Sequence, residues 1–406
     1  MYNQNMNNEK NNEKSLETSD ESITTVETAT DTAATDSTAA TDKAKTYKSF
    51  FFSRRSAWLV VCTLTLGALV FNLLRMFVFR VKVTLPDYEW SSTEEFNAKN
   101  FQTLSADKNG DITLLQITDL HLYNGTCSFD RKTFKLIEQL VKDSEPDLIV
   151  VTGDAIMTLN NVKIMKKASI FFDDLCAKYE SKWCLVFGNH DAWGYGDKTA
   201  LADVLSKSKY CMFQIGPTNL SSDGHTLTLG NYAINVVDST GNYKCSLVMM
   251  DSNERGVTKE EGRYAPITPA TIEWYEWFIN GMTAANGGEV VPSLAFFHIP
   301  LAESKLMLAD TEMGTEGFIE KVCSSDLNTG MYQKMVELGS TLAVFNGHDH
   351  QNSYQNYYDG GNVLLANCVT CGYFAYGAKE YKGGRVIKLN VNQPELVFET
   401  YSIFAD

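Results

Sequence analysis

The sequence predicts an α/β domain that follows a disordered tail and one transmembrane helix. From about residue 108 onward, short β-branched runs alternate with longer stretches of helical periodicity. This pattern is typical of helices that cover the faces of a β-sheet. Before it, a polar N-terminal region is followed by an uncharged apolar run. The hydrophobic fraction of 44% is high enough for a packed core in the remainder of the chain.

Residues 1–47 consist mainly of Asn, Glu, Ser, Thr, Ala and Asp. Such a segment buries too little apolar surface to offset the entropy lost on ordering, so we predict a disordered tail. It is either a plain solvated tail or a cytoplasmic interaction segment. Residues 1–42 hold nine acidic residues and two lysines, which is much of the net charge of −15. The remainder has no basic surplus, which argues against dedicated nucleic-acid binding.

An apolar run over residues 57–79 is predicted to be a transmembrane helix. Its first 18 residues, AWLVVCTLTLGALVFNLL, carry no charge, and a bilayer core needs about 20 mostly apolar residues. A buried core helix would show a polar face, which this run lacks. A cleaved signal peptide seldom follows so long a polar tail. We therefore expect contact with the lipid bilayer through this one helix.

The charges beside the apolar run predict its orientation. Basic residues are more numerous before it than after it; they are Lys43, Lys45, Lys48, Arg54 and Arg55 before it, and Arg80 and Lys82 after it. The more basic side tends to stay cytoplasmic. We therefore predict a single-pass membrane protein with a cytoplasmic N-terminus and an extracytoplasmic C-terminal domain.

The C-terminal part is divided into a connecting segment and one domain. Residues 84–107 are predicted to be a stalk, a linker or an opening strand, and residues 108–406 form the domain. Its predicted strands cover residues 112–118, 148–152, 183–188, 232–237, 246–251, 293–298, 341–346 and 385–391. Its predicted helices cover residues 129–142, 162–179 and 269–280.

The nine cysteines are predicted to be structural. Eight lie beyond the apolar run, and an even number in an exported domain permits disulfides, although their spacing shows no framework. Cys184 lies in an apolar strand and is predicted to be a buried thiol. Cys368 and Cys371 form a single CxxC pair, which is weak evidence for zinc or redox chemistry.

Polar clusters follow directly after five of the predicted strands. They are Asp119-Leu120-His121, Gly153-Asp154, Gly188-Asn189-His190-Asp191, His298 and Gly347-His348-Asp349-His350. In open α/β sheets the binding crevice lies beyond the carboxyl ends of the strands, so these turns can converge. Five of the six histidines stand in these turns, and together with Asp and Asn they predict a metal site. The sixth, His225, lies in a polar turn and is predicted to be a surface residue.

The ordered set DxH, GD, GNHD, H and GHxH resembles that of the calcineurin-like metallophosphoesterases, over roughly residues 110–370. The runs FFHIPLAE and VFNGHDHQN are most similar to the purple-acid-phosphatase-related branch. The resemblance implies a four-layer α/β/β/α sandwich, in which helices flank two β-sheets and two metals lie at the strand ends.

The resemblance also implies which side chains hold the metals. One metal would be held by Asp119, His121, Asp154 and His350, and the other by Asp154, Asn189, His298 and His348. Asp154 would thus bridge both. Two divalent ions (Mn, Fe or Zn) would share a bridging hydroxide and clamp the phosphoryl oxygens of a phosphate-ester substrate.

Two further residues receive catalytic roles from the same resemblance. His190 would donate a proton or hydrogen bond to the leaving oxygen, and Asp191 would hold its imidazole. The alternative for Asp191 is a helix N-cap. Asp349, between two ligands, needs no role beyond stabilising its turn.

The predicted function is that of a membrane-anchored, metal-dependent phosphoesterase, either a phosphatase or a phosphodiesterase. The alternative is a non-catalytic surface binding protein that keeps the fold. Aromatic residues in the region 351–384 either line a pocket for a base or sugar or pack the loop onto the sheet; they are Tyr354, Tyr357, Tyr358, Tyr373, Phe374 and Tyr376. The sequence leaves the oligomeric state open.

Two departures from the purple acid phosphatases predict a colourless metal site. Met157 stands where those enzymes place a tyrosine, and His121 completes a DxH motif that they lack. Without a phenolate to stabilise ferric iron, we expect divalent Mn, Fe or Zn. An absorption spectrum of the pure, metal-loaded protein should show no strong visible band, and such a band would contradict this prediction. The serine/threonine protein phosphatases are disfavoured, because their GDxVDRG and GNHE motifs are replaced by GDAIM and GNHD.

Overall fold

The computed structural model describes residues 54–78, 80–220, 228–309, 316–393 and 395–405. The predicted disordered tail and His225 lie outside these residues. The strands, in chain order, are β1 (Gln102–Ser105), β2 (Asp111–Ile117), β3 (Leu148–Thr152), β4 (Lys182–Val186), β5 (Tyr232–Val237), β6 (Tyr243–Met249), β7 (Ser293–Phe296), β8 (Thr341–Asn346), β9 (Gln355–Tyr357), β10 (Leu364–Asn367), β11 (Gly383–Asn390) and β12 (Val397–Phe404). The α-helices are α1 (Arg54–Val78), α2 (Ser128–Ser144), α3 (Asn161–Tyr179), α4 (Lys198–Leu205), α5 (Pro269–Ala285), α6 (Ala302–Ala309) and α7 (Met331–Leu338).

The strands form two mixed sheets. One has five strands in the order β12-β11-β2-β3-β4, and the other has seven in the order β1-β5-β6-β7-β8-β10-β9. In the first sheet β2, β3 and β4 are parallel neighbours. In the second, β6, β7, β8 and β10 run parallel. The carboxyl ends of each parallel set therefore lie on one edge of their sheet.

The seven-stranded sheet lies between two apolar clusters. Along β6, Leu247 and Met249 belong to a cluster that also contains Leu114 and Val150 of the five-stranded sheet. Val248, between them in sequence, belongs to a second cluster with residues of α5 and α7. Side chains alternate between the two faces of a strand, so this assignment places the first cluster between the sheets. The helices α2 and α3 contribute to that first cluster as well. The predicted α/β fold with two sheets is confirmed.

Helix α5 illustrates how local sequence sets an element boundary. Thr268 is its N-cap, and the side chain accepts a hydrogen bond of 3.1 Å from the backbone N–H of Thr271. Pro269 occupies the first helical turn, where its missing N–H costs no hydrogen bond. The sequence prediction placed this start correctly but ended the helix at residue 280, five residues before Ala285.

The predicted strands all occur, with boundaries within a few residues; β3, β5 and β8 have the predicted boundaries. The sequence prediction missed β9, β10 and β12 as well as the eight-residue helices α4, α6 and α7. The three helices and the strands β9 and β10 are short and give too few periods to stand out from surrounding loops, whereas the eight-residue β12 was missed despite its length.

The segment over residues 84–107 packs on the sheet that β1 borders. β1 pairs with β5, so the opening-strand alternative describes residues 102–105. Trp90 is buried, and its backbone N–H and carbonyl both bond to the side chain of Asn219. Its ring also meets that of Trp277 edge to face, with 5.8 Å between centroids. These contacts give the segment a fixed path along the domain.

Helix α1 covers most of the run that was predicted to span a membrane. Within the described part of the chain, no helix is long and apolar enough for a crossing. The structure therefore does not support the predicted transmembrane helix.

The nine cysteines all lie in described residues, and none of them forms a disulfide. Cys184, Cys368 and Cys371 are buried, as expected of structural thiols. Burial raises the pKa of Cys368 to about 12, which keeps this thiol protonated and unreactive at neutral pH.

Candidate metal centre

Three turns of the five-stranded sheet contribute to the site. Asp119 and His121 follow β2, Asp154 follows β3, and Asn189 and His190 follow β4. Because these strands are parallel neighbours, their turns lie side by side at one edge. The backbone supports this arrangement, since the N–H groups of Asp119 and His121 donate to the carbonyls of Gly153 and Asp154.

The seven-stranded sheet contributes the remaining histidines. His298 lies just beyond β7, and His348 and His350 lie just beyond β8. The backbone N–H of Gly347 donates to the carbonyl of His298, which joins these two turns. The site therefore forms where the carboxyl ends of parallel strands from both sheets meet.

Several of these turns adopt left-handed backbone conformations. Asp119, His121, Asp154 and His348 have φ values of 52°, 45°, 49° and 75°. Non-glycine residues rarely adopt this region, and where they do the strain is commonly found at functional sites. Gly153 also has positive φ, and a Cβ there would lie 2.6 Å from His298 Nδ1. Only glycine fits between these two turns.

The first group of candidate ligands is Asp119, His121 and His350, all buried. His350 Nε2 lies 3.2 Å from Asp119 Oδ1 and 3.3 Å from His121 Nε2. His121 Nε2 lies 3.5 Å from the same Asp119 oxygen. One ligand atom from each residue thus points to a common centre.

The second group is Asp154, His298 and His348, which are also buried. His298 Nε2 lies 3.3 Å from Asp154 Oδ2 and 3.2 Å from His348 Nδ1. The same Asp154 oxygen is 3.8 Å from His121 Nε2 of the first group. Asp154 therefore lies between the groups, where the sequence prediction put the bridging carboxylate.

The donor set fits two divalent cations. Ligands about 2.0–2.1 Å from a tetrahedral metal lie roughly 3.3 Å apart, which matches the spacings within both groups. Among the described residues, the buried oxygens Asp119 Oδ1 and Asn189 Oδ1 have no hydrogen-bond partner. Unpaired buried polar atoms are uncommon in native proteins, and a bound ion would account for these two. Carboxylate, amide and imidazole ligands suit Mn, Fe and Zn alike.

Neighbouring groups orient the ligands. Asp119 Oδ2 accepts hydrogen bonds from the Thr118 hydroxyl at 2.8 Å and from the His348 N–H at 2.9 Å, which leaves Oδ1 to face the histidines. His298 Nδ1 donates to the Thr152 carbonyl at 2.8 Å, which turns Nε2 toward the second group of ligands. Sequence reasoning missed Thr118 and Thr152, although each is the last residue before a ligand motif.

The two buried carboxylates favour a positive charge on His298. Burial by itself would lower the pKa of His298, but Asp154 and Asp119 raise it to about 10. Burial, together with the charge on His298, lowers the pKa of His348 to about 3. This group therefore favours positive charge beside Asp154, which a bound metal would supply.

His190 lies at the rim of the site, outside both ligand groups. Its side chain is 20% exposed, and Nε2 is 3.8 Å from Asp154 Oδ2. Nδ1 has no hydrogen-bond partner in the part of the chain that the structure describes, and burial lowers the pKa of the imidazole. This position is compatible with the predicted role, in which His190 faces substrate and is not a ligand.

Asp191 is placed differently from the prediction. Its Oδ2 accepts hydrogen bonds from the backbone N–H groups of Gly188 at 2.8 Å and Asp154 at 3.1 Å. Its Oδ1 accepts one from Ile156 at 2.9 Å. Among the described hydrogen bonds none joins Asp191 to the His190 imidazole, and Asp191 is not a helix N-cap either. Asp191 holds the turns after β3 and β4 together, and burial raises its pKa to about 7.

Asp349 is buried and has a structural position. It accepts a hydrogen bond of 3.1 Å from the backbone N–H of Cys323, and burial raises its pKa to about 8. This contact ties the turn after β8 to the segment before α7, so its role extends beyond its own turn.

Three aromatic rings each contact one histidine of the site. Ring centroids are 4.0 Å apart for Tyr376 and His350, and 3.8 Å apart for Trp193 and His190. The ring centroids of Tyr264 and His348 are 4.5 Å apart. Sequence reasoning missed Trp193 and Tyr264, which no ligand motif marks.

The aromatic residues of the region 351–384 divide between the two roles that the sequence left open. Tyr376 borders the site, and Phe374 stacks on the exposed ring of Tyr123 nearby. Tyr354 is fully buried in the core beneath the seven-stranded sheet, and Tyr358 packs on Tyr332. Some of these aromatic residues therefore pack the loop onto the domain, and others lie beside the candidate metal centre.

Comparison with known proteins identifies a matching family. The sequence model of the calcineurin-like phosphoesterases matches residues 112–352, which is more than half of the chain. This range contains all of the candidate ligands.

Curated relatives are also found. A protein from Arabidopsis thaliana named "probable inactive purple acid phosphatase 28" is 26% identical over 70% of this chain and 77% of its own length. "Phosphatase DCR2" from Saccharomyces cerevisiae is 26% identical over 62% of this chain, which spans about half (46%) of that relative. Among solved structures, a dimetal phosphatase from Danio rerio is 13% identical with a TM-score of 0.42, over 72% of this chain and 99% of its own.

The position of Asp191 predicts a loss of stability on substitution. Asp191→Ala leaves three buried backbone N–H groups without an acceptor, which should lower the free energy of unfolding by about 3 kcal/mol or more. His190→Ala, which removes no such acceptor, should lower it by less than about 1 kcal/mol. Denaturant unfolding of the two variants measures this difference. Equal stabilities would show that Asp191 does not hold the turns.

Proposed function

The chain belongs to the calcineurin-like phosphoesterase family, and from this premise we propose that it hydrolyses phosphate esters with two divalent metal ions. The observation that carries the proposal is the pair of buried histidine–carboxylate groups, with Asp154 of the second group also next to His121 of the first. Asp119, His121, Asp154 and His350 would hold one ion. Asp154, Asn189, His298 and His348 would hold the other.

When bound, the two ions supply Lewis acidity, activate a water molecule and stabilise negative charge on phosphoryl oxygens. Residues of the protein orient the groups that surround the ions. Thr118 and Thr152 orient two of the ligands, so that little reorganisation is needed during reaction. Asp191 holds the turns that carry Asp154 and His190.

His190 is the general acid of the proposed mechanism. It lies at the rim, beside the bridging carboxylate, where it can donate a proton or hydrogen bond to the leaving oxygen. Trp193 packs against its ring and limits the positions that the imidazole can take. Asp191 acts through the backbone, so we assign it a positioning role.

The second candidate is a binding protein that keeps this fold without catalysis. It is favoured by the word "inactive" in the name of the Arabidopsis relative. A chain that had lost catalysis would be expected to lose a ligand or His190, and none of them is missing here. The presence of every candidate ligand and of His190 supports the hydrolase over the binding protein.

Hydrolysis of two model esters tests the proposal. The protein is loaded with Mn, Fe or Zn, and its turnover of p-nitrophenyl phosphate is compared with that of bis-p-nitrophenyl phosphate. We expect turnover of at least one ester, which Asp154→Asn abolishes and His190→Ala lowers roughly 10²- to 10⁴-fold. The preferred ester assigns the monoester or diester class. A folded, metal-loaded protein that hydrolyses neither ester would favour the binding protein.

We also propose that the catalytic domain lies outside the cytoplasm. This location requires residues 57–79 to enter the bilayer, and its support comes from the sequence alone: residues 57–74 carry no charge, and basic residues are more numerous before the run than after it. Protease added to intact cells should digest the domain and spare a tag at the N-terminus. Protection of both parts would contradict this location.

A further inference from the structure

A short ribbon over residues 254–265 lies beside the candidate metal centre. The N–H of Gly256 donates to the carbonyl of Arg263 at 3.1 Å, and the N–H of Ala265 donates to that of Glu254 at 3.3 Å. Arg255 and Tyr264 form an antiparallel bridge between these bonds. Residues directly opposite each other in such a pair project from the same face. Tyr264 contacts His348, so Arg255 is on the face of the ribbon that borders the site.

A second contact, with Trp193, also places Arg255 beside the candidate metal centre. Its guanidinium carbon lies 5.2 Å from the centroid of the Trp193 ring. Trp193 in turn packs on His190, with 3.8 Å between the ring centroids. Arg255 thus lies over the Trp193 ring, and Trp193 meets the ring of His190 edge to face, so the three side chains are in contact from solvent to the proposed general acid.

No carboxylate of the described residues neutralises the charge on Arg255. The preceding Glu254 turns inward, 3.5 Å from Lys198, which is buried and pairs with Asp251 at 2.6 Å. Arg255 is exposed, and no ion pair of the described residues includes it. A guanidinium that stacks on an indole keeps its N–H edges free, and these edges match the geometry of phosphate and carboxylate.

We propose that Arg255 binds a second anionic group of the substrate, a phosphate or carboxylate separate from the ester under attack. This inference rests on the phosphoester hydrolysis proposed above. In a chain of net charge −15, a multiply charged substrate needs local positive charge to approach the site. Trp193 supplies the rigid surface that holds the guanidinium in place. Arg255 is therefore a specificity-determining residue that selects substrates with two anionic groups.

The test compares substrates that differ only in the second anion. One series is made of α,ω-alkanediol bisphosphates, from propanediol to octanediol, and its partner series is made of the matching alkanediol monophosphates. The full-length, metal-loaded protein should prefer the bisphosphates, with an optimum at the chain length that reaches Arg255.

Variants assign this preference to Arg255. Arg255→Ala should lower the ratio of kcat/KM for bisphosphate over monophosphate about tenfold, equivalent to about 1.4 kcal/mol of binding free energy, mainly through KM. Arg255→Lys keeps the charge without the planar stack and should lose part of the preference. The matched control is Lys259→Ala, which removes one exposed positive charge from the same ribbon and should leave the ratio unchanged.

Two results would overturn the inference. One is an unchanged ratio in Arg255→Ala, and the other is an equal fall in Lys259→Ala, which would reveal a general charge effect. If the wild-type protein hydrolyses no ester, the proposed function fails separately. Calorimetry with alkylene bisphosphonates and monophosphonates, which cannot be hydrolysed, then tests whether Arg255 binds the second anionic group. Weaker binding of the bisphosphonate alone to Arg255→Ala supports the inference, and equal binding to both proteins refutes it.

Discussion

The burial of two carboxylates at one point is the constraint on which the rest of the site depends. Asp119 and Asp154 are both fully buried, and the cationic partners that the described residues offer them are histidines. Buried negative charge is costly unless positive charge accompanies it. The surrounding imidazoles meet part of this requirement, and bound cations would meet the rest. The arrangement is stable only where the backbone can bring all of these groups within a few ångströms of one another.

The turns at the strand ends bring these groups together, and they are tightly packed against one another. Gly188 packs directly on the backbone of Asp154, and Gly153 packs on the ring of His298. Larger residues at either position would push a ligand away from the centre. The left-handed conformations of Asp119 and Asp154 store strain that the surrounding hydrogen bonds must offset. Asp191 contributes most directly, because it joins two of the turns through backbone N–H groups.

The sequence was sufficient to predict the α/β fold and the residues that converge at the centre, because motif and strand end coincide in each case. It was insufficient for Asp191, whose partners are backbone N–H groups. Every non-proline residue carries such a group, so no side-chain pattern reveals which one is bonded. Trp193 and Tyr264 were missed for a related reason, since their contacts with His190 and His348 depend on where loops return. The predicted transmembrane helix followed from composition alone, and the structure does not support it.

The centre also connects parts of the chain that are far apart in sequence. One sheet supplies Asp119 and Asp154, while the other supplies His298 and His348. An ion held by ligands from both sheets acts as a cross-link, and it binds the folded chain much better than the unfolded one. Metal supply would then control how firmly the two sheets are locked together. The same protein would be more resistant to opening and proteolysis where metal is plentiful than where it is scarce.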